Sequence, residues 1–279
     1  MKTIVLSDHI GDRRKALAEE RDREYDAALQ SYKDAVKRHE QELSRREQAL
    51  VEAFRQRQVW RTILGFFSYV CFLFDTGPRA PALVRRRTRL RTREETLLEV
   101  GREGEQRVAA LLGRMLGDEW MLLTGYCNPR GEIDQILVGP LGVFALEIKN
   151  LSGQIHCQGD VWWRDKYDSR GRIVQTNLPV TDRTGRGPSV QVNTAADCLQ
   201  QFLNRTLTIR IVRAVIFAHD RSRMGTISNQ TVEYIAPLDE ATIKDMLTIV
   251  KSPLDATQAS SVVALIERDH KFHEKSQGG

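Results

Sequence analysis

The sequence has few cysteines, and their spacing excludes a disulfide framework or a zinc ribbon. The 279 residues contain four, Cys71, Cys127, Cys157 and Cys198, and no two of them form a CxxC pair. Such isolated cysteines are typical of a reducing compartment. Charged residues follow Met1–Leu6 at once, so we find no secretory signal at this point. We therefore expect a cytoplasmic protein.

The chain also lacks a strong excess of positive or negative charge. The chain has 42 Lys and Arg, 37 Asp and Glu and 41% hydrophobic residues, a composition that excludes collagen-like, mucin-like and largely disordered proteins. The positive excess lies in residues 1–100, whereas residues 101–279 hold 21 residues of each sign. Seven arginines lie between Arg79 and Arg93 with no acid among them. Residues 76–92 are therefore predicted to form a basic linker, which suits anionic lipid head groups or nucleic acid.

Proline is absent from residues 12–58, and no glycine follows Gly11 in this stretch. A seven-residue apolar repeat runs through it, at Leu29, Val36, Leu43 and Leu50. This spacing predicts one long helix, a coiled-coil-like arm over residues 1–58. The apolar seam is weak, because His39 and Arg46 occupy seam positions. Two alternatives stay open: the helix pairs with another helix, including that of a second copy in a homo-oligomer, or it is a solvated single helix.

No hydrophobic run is long enough for an ordinary transmembrane helix. The longest uncharged run, residues 62–74, has 13 residues, and a bilayer span needs about 20. We predict that residues 59–75 either lie in a membrane interface or pack as a buried or oligomer-forming segment. In the first case, residues 59–93 would contact an anionic surface such as the inner face of the cytoplasmic membrane.

Residues 93–279 show the pattern of a compact α/β domain. Strand-like runs at 133–138 and 143–149 flank a Gly-Pro-Leu-Gly turn, which predicts a β-hairpin. Helical patterns precede and follow them. Residues 165–188 are polar and rich in Gly, Arg and Thr, and we predict a long surface loop there. The predicted fold is a mixed sheet with a central hairpin flanked by helices.

Charged residues interrupt the apolar pattern of this hairpin. Asp134 lies at the start of its first strand, and Glu147 and Lys149 lie near the end of the second. Side chains alternate along a strand, so Glu147 and Lys149 share a face, and the hairpin folds Asp134 towards them. Two such carboxylates form a hard oxygen site for Mg²⁺ or Mn²⁺, and the lysine would stabilise charge on a phosphate. The alternative is an exposed ion pair of little consequence.

An ordered set of motifs surrounds these residues, at Gly101–Glu105, Gly131–Asp134, Val138–Gly142, Val143–Asn150 and Pro188–Gln191. This set resembles the PD-(D/E)xK nuclease superfamily. More narrowly, it is similar to the nuclease-related, or NERD, domain. The resemblance covers roughly residues 97–218. It implies a restriction-endonuclease-like fold and metal-dependent hydrolysis of nucleic-acid phosphodiester bonds, with DNA as the expected substrate.

The resemblance also implies roles for individual residues. Its five catalytic positions are Glu105, Asp134, Glu147, Lys149 and Gln191. Asp134, Glu147 and the backbone carbonyl of Ile148 would bind Mg²⁺ or Mn²⁺. Lys149 would be the catalytic lysine, Glu105 would hold a water molecule or the lysine, and Gln191 would be accessory. Glu132, which lies two residues before Asp134, is expected to face away from the site.

Basic residues after the hairpin are candidates for phosphate contacts. They are Arg164, Lys166, Arg170 and Arg172, with Arg183 and Arg186 further along the same stretch. A solvated charged loop is the alternative reading of the same stretch. No helix-turn-helix or zinc-finger motif is present, so we expect little base specificity. The sequence leaves two functions open: a nuclease, or a non-catalytic scaffold that binds nucleic acid or protein and whose helical arm is the functional part.

Overall fold

The computed structural model describes residues 1–74, 77–82 and 93–277. Most of the predicted basic linker, with its arginines at positions 85–91, lies outside the described residues. The chain divides into two units, one formed by Met1–Asp12 with Arg93–Gly279 and the other by Arg13–Thr92.

The second unit is a helical hairpin. Helix α1 (His9–Arg55) has 47 residues, which confirms the predicted long helix, and a turn leads from it into α2 (Val59–Phe74). Helix α2 folds back along the last part of α1. The two residues that weaken the apolar seam both contact Phe72 of α2: the His39 ring stacks on it at 4.5 Å, and the Arg46 guanidinium lies 4.3 Å from its centre. The seam is thus covered within the chain at this end.

None of the helices in the described ranges combines the length and the hydrophobicity needed to cross a bilayer.

The first unit is built on a six-stranded sheet. Its strands, in spatial order, are β1 (Lys2–Val5), β2 (Met121–Asn128), β3 (Gly131–Gly139), β4 (Gly142–Lys149), β8 (Ile211–Phe217) and β10 (Tyr234–Pro237). Strands β2, β3 and β4 are antiparallel neighbours, whereas β1, β8 and β10 join in parallel. The β3–β4 pair is the predicted central hairpin, closed at Gly139 and Gly142.

A second, four-stranded sheet follows the hairpin. Its strands, in spatial order, are β7 (Ile173–Pro179), β6 (Val161–Tyr167), β5 (Gly153–Gln158) and β9 (Ser222–Ser228). The prediction of a surface loop over residues 165–188 was wrong, because β7 lies within this range. This edge strand is exposed at nearly every residue, so its sequence lacks the apolar alternation by which strands are recognised.

Helices cover both faces of the large sheet. They are α3 (Arg93–Met115), α4 (Pro188–Leu203), α5 (Glu240–Leu247) and α6 (Ala256–Gln277). Helices α4 and α6 share a core with the face of β4 that carries Val143 and Ala145. Helices α3 and α5 share a core with the opposite face, which carries Phe144 and Leu146. Burial on both faces explains why β4 is almost continuously apolar until Glu147.

Strand β1 differs from the boundary drawn from the sequence, which assigned residues 1–58 to the helical arm. Lys2–Val5 instead pairs in parallel with β2 at the edge of the large sheet. The Met1 ammonium group lies 3.3 Å from a carboxylate oxygen of Asp118. A four-residue edge strand has too little pattern of its own to be recognised without its neighbour.

Candidate active site

The hairpin brings the predicted acids and the lysine together. The backbone N–H of Ile148 donates a hydrogen bond of 2.6 Å to Oδ2 of Asp134, which joins the start of β3 to the end of β4. Lys149 Nζ lies 2.5 Å from Oε1 of Glu147. Both side chains share the face of Val143 and Ala145, but they lie where β4 emerges from the core.

The Ile148 carbonyl faces the same side as Asp134. The neighbouring Lys149 carbonyl accepts a hydrogen bond of 2.9 Å from Ala218 N, on the β8 side of the strand. Successive peptide groups of a strand point in opposite directions, and the N–H and C=O of one residue point the same way. The N–H of Ile148 points to Asp134, so its carbonyl oxygen is directed to that side as well.

Helix α3 positions Glu105 beside this pair. A Cβ on Gly104 would lie 2.7 Å from the Cβ of Asn150, so only glycine allows the helix to approach the end of β4 so closely. The Asn150 side chain donates a hydrogen bond of 2.7 Å to the Val100 carbonyl, and the Gln135 side chain donates one of 2.8 Å to the Glu105 carbonyl. The helix is therefore fixed at the residue before Glu105 and at Glu105 itself.

Two adjoining hollows open at these residues. One, of about 300 Å³, is lined by Glu105 and Asp134 among others, and the other, of about 600 Å³, by Asp134, Glu147 and Lys149. Glu132 lines both hollows with Asp134, so the expectation that it faces away was wrong. Residues two apart on a strand share a face, and this rule should have placed Glu132 on the side of Asp134.

The acids of the site repel one another in a partly desolvated space. Burial, followed by the charges of Glu132 and Glu147, raises the pKa of Glu105 to about 7. Burial and the charge of Glu147 raise the pKa of Asp134 well above its usual value. Burial also raises the pKa of Glu147, although Lys149 opposes the shift. For Lys149, burial alone would lower the pKa, but the charges of Glu147 and Asp134 raise it, so the lysine stays protonated.

Gln191 reaches the site from the first turn of α4. Its Oε1 accepts a hydrogen bond of 3.1 Å from Lys149 Nζ, and its Nε2 donates one of 2.7 Å to the Arg186 carbonyl. Arg186 is held in turn by Asp182, whose carboxylate accepts hydrogen bonds of 2.9 Å from the backbone N and from Nε of Arg186. Although burial acts in the opposite direction, bonds from Arg186 and Thr184 hold the pKa of Asp182 at about 2. The chain Asp182–Arg186–Gln191 thus orients the amide that contacts Lys149.

The start of α4 is fixed from the second sheet. Trp162 Nε1 donates a hydrogen bond of 2.9 Å to Ser189 Oγ, and Ser189 Oγ donates one of 2.6 Å to Asp160. Ser189, which takes part in both bonds, follows Pro188, where the helix begins. The first turn of α4, which carries Gln191, is therefore anchored at its base.

The comparison with protein-family models decides what kind of domain surrounds this site. Residues 100–218, under half of the chain, match the model of the nuclease-related domain, NERD. This part of the chain is similar to a nuclease-related domain, and we refer to it as the NERD domain. Glu105, Asp134, Glu147, Lys149 and Gln191 all lie within the match. No curated protein and no solved structure matches the chain.

The NERD domain contains two loops of identical construction that the sequence analysis missed. Both have the sequence Asp-x-x-Gly-Arg, at residues 168–172 and 182–186. In each loop, one carboxylate oxygen of the aspartate accepts hydrogen bonds from the backbone N–H groups two and four residues further along the chain. The other carboxylate oxygen accepts a hydrogen bond from Nε of the arginine. The first loop closes the β6–β7 hairpin, whereas the second borders the site. The repeated Asp-x-x-Gly-Arg sequence is the signal by which the two loops could have been recognised.

The predicted phosphate-binding residues lie on the β6–β7 hairpin of the NERD domain. Arg164 is half-buried, and its guanidinium donates a hydrogen bond of 2.8 Å to the Ser152 carbonyl. Lys166 is exposed on β6. Arg170 and Arg172 belong to the loop at the tip, where Arg172 pairs with Asp168. The other end of β6 contacts α4 through Trp162. The tip of the hairpin therefore lies on the order of 15–20 Å from this contact, measured along the strand.

Two other arginines lie beside the site itself. Arg130, in the turn between β2 and β3, and Arg186 line the larger hollow together with Glu147 and Lys149. Arg130 is exposed, and Arg186 Nη1 lies 3.5 Å from its carbonyl oxygen. Arg186 was among the basic residues predicted to contact phosphates, whereas Arg130 was not, because only the folded chain brings the β2–β3 turn next to the second Asp-x-x-Gly-Arg loop.

The donor atoms of the NERD site fit a hard divalent cation. No group of three or more His, Cys, Asp and Glu side chains in the described part of the chain is arranged to hold a metal by itself. The carboxylates of Asp134 and Glu147, which line the same hollow, and the Ile148 carbonyl on the Asp134 side of β4 are nevertheless oxygen donors of the kind that Mg²⁺ and Mn²⁺ prefer. Burial, and then repulsion by neighbouring acids, raises the pKa values of the two acids, and a cation would relieve that repulsion.

Proposed function

We propose that the NERD domain is a Mg²⁺- or Mn²⁺-dependent nuclease of the PD-(D/E)xK type, with DNA as its expected substrate. One observation carries the proposal: the half-buried carboxylate of Asp134 and the buried carboxylate of Glu147 lie beside a protonated lysine at an open hollow. Two acids with raised pKa values next to a protonated lysine destabilise the folded protein, and such groups are characteristic of functional sites.

The residues around the cation would divide the work. Asp134, Glu147 and the Ile148 carbonyl would hold the cation, which supplies Lewis-acid activation of the phosphate and of the attacking water. Lys149 keeps its proton, so it would act as a fixed positive charge on a phosphate oxygen rather than as a base. Gln191 would hold the ammonium group in place.

Glu105 is suited to accept the proton that the attacking water releases. Its pKa of about 7 makes it an effective base near neutral pH. It lines the hollow that adjoins Asp134, and α3 holds its backbone through Gln135. In hydrolysis, the water oxygen would bond to phosphorus and the water proton would pass to this carboxylate. The phosphodiester P–O bond would break, and the leaving oxygen would take up a proton from solvent.

Arg130 lines the larger hollow and would contact the backbone of the substrate. We expect Arg130→Gln to raise KM for DNA about 5- to 10-fold, to leave kcat nearly unchanged and to reduce the salt dependence of binding. Arg172→Gln, at the distant hairpin tip, is the matched control and should have little effect on KM. Steady-state kinetics at two salt concentrations measure both variants. Equal effects of the two substitutions would contradict the placement of DNA over the larger hollow.

Asp182 is expected to act on catalysis through the chain that orients Gln191. Asp182→Ala should lower kcat about 10- to 100-fold, the usual cost of losing a supporting hydrogen-bond partner, with metal affinity retained. Asp168→Ala removes the same bonds from the sister loop and should leave kcat unchanged. The measurement is kcat and Mn²⁺ affinity for both variants. If Asp168→Ala lowers kcat as much as Asp182→Ala, the effect is on folding rather than on Lys149.

The direct test of the proposal is a cleavage assay. Purified protein is incubated with supercoiled plasmid, linear duplex, single-stranded DNA and RNA, each with Mg²⁺, Mn²⁺ or EDTA. We expect cleavage with either metal and none with EDTA, and the preferred substrate reveals the mode of cutting. Absence of cleavage of every substrate would overturn the proposal in favour of a non-catalytic scaffold.

A further inference from the structure

Helix α2 presents an unusually apolar outer surface. None of its residues is buried, and its half-buried positions, which include Thr62, Gly65 and Phe72, face α1. On the outer side, Trp60, Leu64, Phe67, Cys71 and Phe74 follow one another at intervals of four and three residues. Trp60 is 78% exposed, and Phe74 is 82% exposed. We call this set the outer stripe.

An apolar groove continues the outer stripe towards α1. It is lined by Leu50, Val51, Phe54, Thr62, Ile63, Phe66 and Phe67, and its volume is about 640 Å³. Gly65 packs against Leu50 and lets the two helices approach closely at this point. The groove is apolar, as an acyl chain requires, and the side chains that line it leave no polar surface for a hydrophilic ligand.

Arginines lie at both ends of α2. Arg55, Arg57 and Arg61 are exposed near its beginning, and Arg79 is exposed beyond its end. From residue 53 to residue 93 the sequence contains ten arginines and a single acid, Asp75. A surface that combines an apolar stripe with flanking cations complements an anionic lipid surface, where the apolar side chains enter the acyl boundary and the arginines contact head groups.

The same charges disfavour a second copy of the hairpin as the occupant. If two outer stripes packed against each other, parallel helices would place Arg55 and Arg61 next to their equivalents. Antiparallel helices would place them next to Arg79. Like charges would meet in both arrangements, and Asp75 is the single acid from residue 53 to residue 93. The helix is also about 24 Å long at 1.5 Å per residue, less than the roughly 30 Å of a hydrocarbon core, so it would lie along the interface.

We propose that the outer stripe and its flanking arginines form a docking surface for an anionic phospholipid bilayer. The hairpin would lie in the plane of the interface, with Trp60, Leu64 and Phe67 inserted below the head groups. This role is separate from the chemistry of the NERD site, and neither proposal depends on the other.

Vesicle binding by the full chain tests the docking surface. We measure cosedimentation with vesicles of phosphatidylcholine alone and of equal parts phosphatidylcholine and phosphatidylglycerol. The wild type should bind the anionic vesicles and bind the neutral ones far more weakly. Trp60→Ser combined with Phe67→Ser should lower the affinity about 10-fold or more. Arg55→Gln combined with Arg61→Gln should lower it roughly 30-fold, about fivefold for each arginine.

Controls separate the surface from general stickiness and misfolding. Phe272→Ser removes an exposed phenylalanine from α6 and should leave vesicle binding unchanged. Circular dichroism and DNA cleavage should be unaffected in the α2 variants, because no catalytic residue is altered. Wild-type protein that fails to bind anionic vesicles would overturn the proposal, as would binding that survives both double substitutions. A dimer in sedimentation velocity that the Trp60 and Phe67 substitutions dissolve, without vesicle binding, would show instead that a second copy covers the stripe.

Discussion

Asp134→Asn is expected to abolish cleavage and, at the same time, to stabilise the metal-free protein. The asparagine oxygen can still accept the hydrogen bond from Ile148 N, so the end of the hairpin keeps its shape. The substitution removes a metal-ligand charge, and kcat should fall at least about 1,000-fold. It also removes a half-buried negative charge that is disfavoured by desolvation and by repulsion from Glu147 and Glu105. The melting temperature should rise by about 2–4 °C for each kcal/mol of repulsion relieved.

The opposite signs of the two effects make this prediction specific. A structural aspartate would lose both activity and stability when replaced, whereas a functional one in a strained site loses activity only. Asp220→Asn is the matched control, because Asp220 is an exposed aspartate paired with Arg107. It should change neither quantity appreciably. Retained cleavage in Asp134→Asn, or a marked fall in its melting temperature, would contradict the assignment of Asp134.

In the absence of metal, stability is expected to fall as the pH rises from about 4.5 to about 7. The pKa of Glu105 is 4.5 in its ordinary state and about 7 in the folded protein. Between these values the folded state holds a proton that the unfolded state has lost, so raising the pH favours unfolding. The raised pKa values of Asp134 and Glu147 act in the same direction. Asp182 has a lowered pKa, and its stabilising contribution is lost only in more acidic solution.

Mn²⁺ should reverse this trend, because it binds the deprotonated carboxylates. At about 100 times its Kd, a ligand of the folded state adds roughly 2.7 kcal/mol of stability. The stabilisation should increase with pH as the ligands lose their protons. Thermal melts in EDTA and in Mn²⁺ across this pH range measure both effects, and Glu105→Gln should flatten the slope seen in EDTA. Stability that rises with pH in EDTA, or an equal Mn²⁺ effect in Asp134→Asn, would refute this account.

The central hairpin was predictable because its local signals agree with its tertiary environment. The Gly-Pro-Leu-Gly turn fixes the connection, and burial on both faces makes β4 apolar up to Glu147. The long helix α1 was predictable for a similar reason, since it has no proline and a regular repeat. Strands β1 and β7 were not, because both are edge strands whose exposed residues carry no periodic apolar signal. Their place in the sheets is set by neighbours distant in the sequence.

The site residues also divide into those that were predictable from the sequence and those that were not. Asp134, Glu147 and Lys149 lie on one hairpin, so strand alternation alone could bring them together. Arg130 and Asp182 reach the site through the β2–β3 turn and through a loop anchored by α4, and no local pattern specifies those approaches. The seam of α1 gives a parallel case. His39 and Arg46 look like defects until α2 folds back and places Phe72 against both.

The central claim is that Asp134 and Glu147 hold a divalent cation, and calorimetric titration of Mn²⁺ into metal-free protein tests it most directly. We predict one or more binding events for the wild type, accompanied by proton release that grows as the pH falls from neutral towards about 6, and loss of this binding in Asp134→Asn. Binding of equal strength in the wild type and in Asp134→Asn, or no binding to the wild type at all, would contradict the claim.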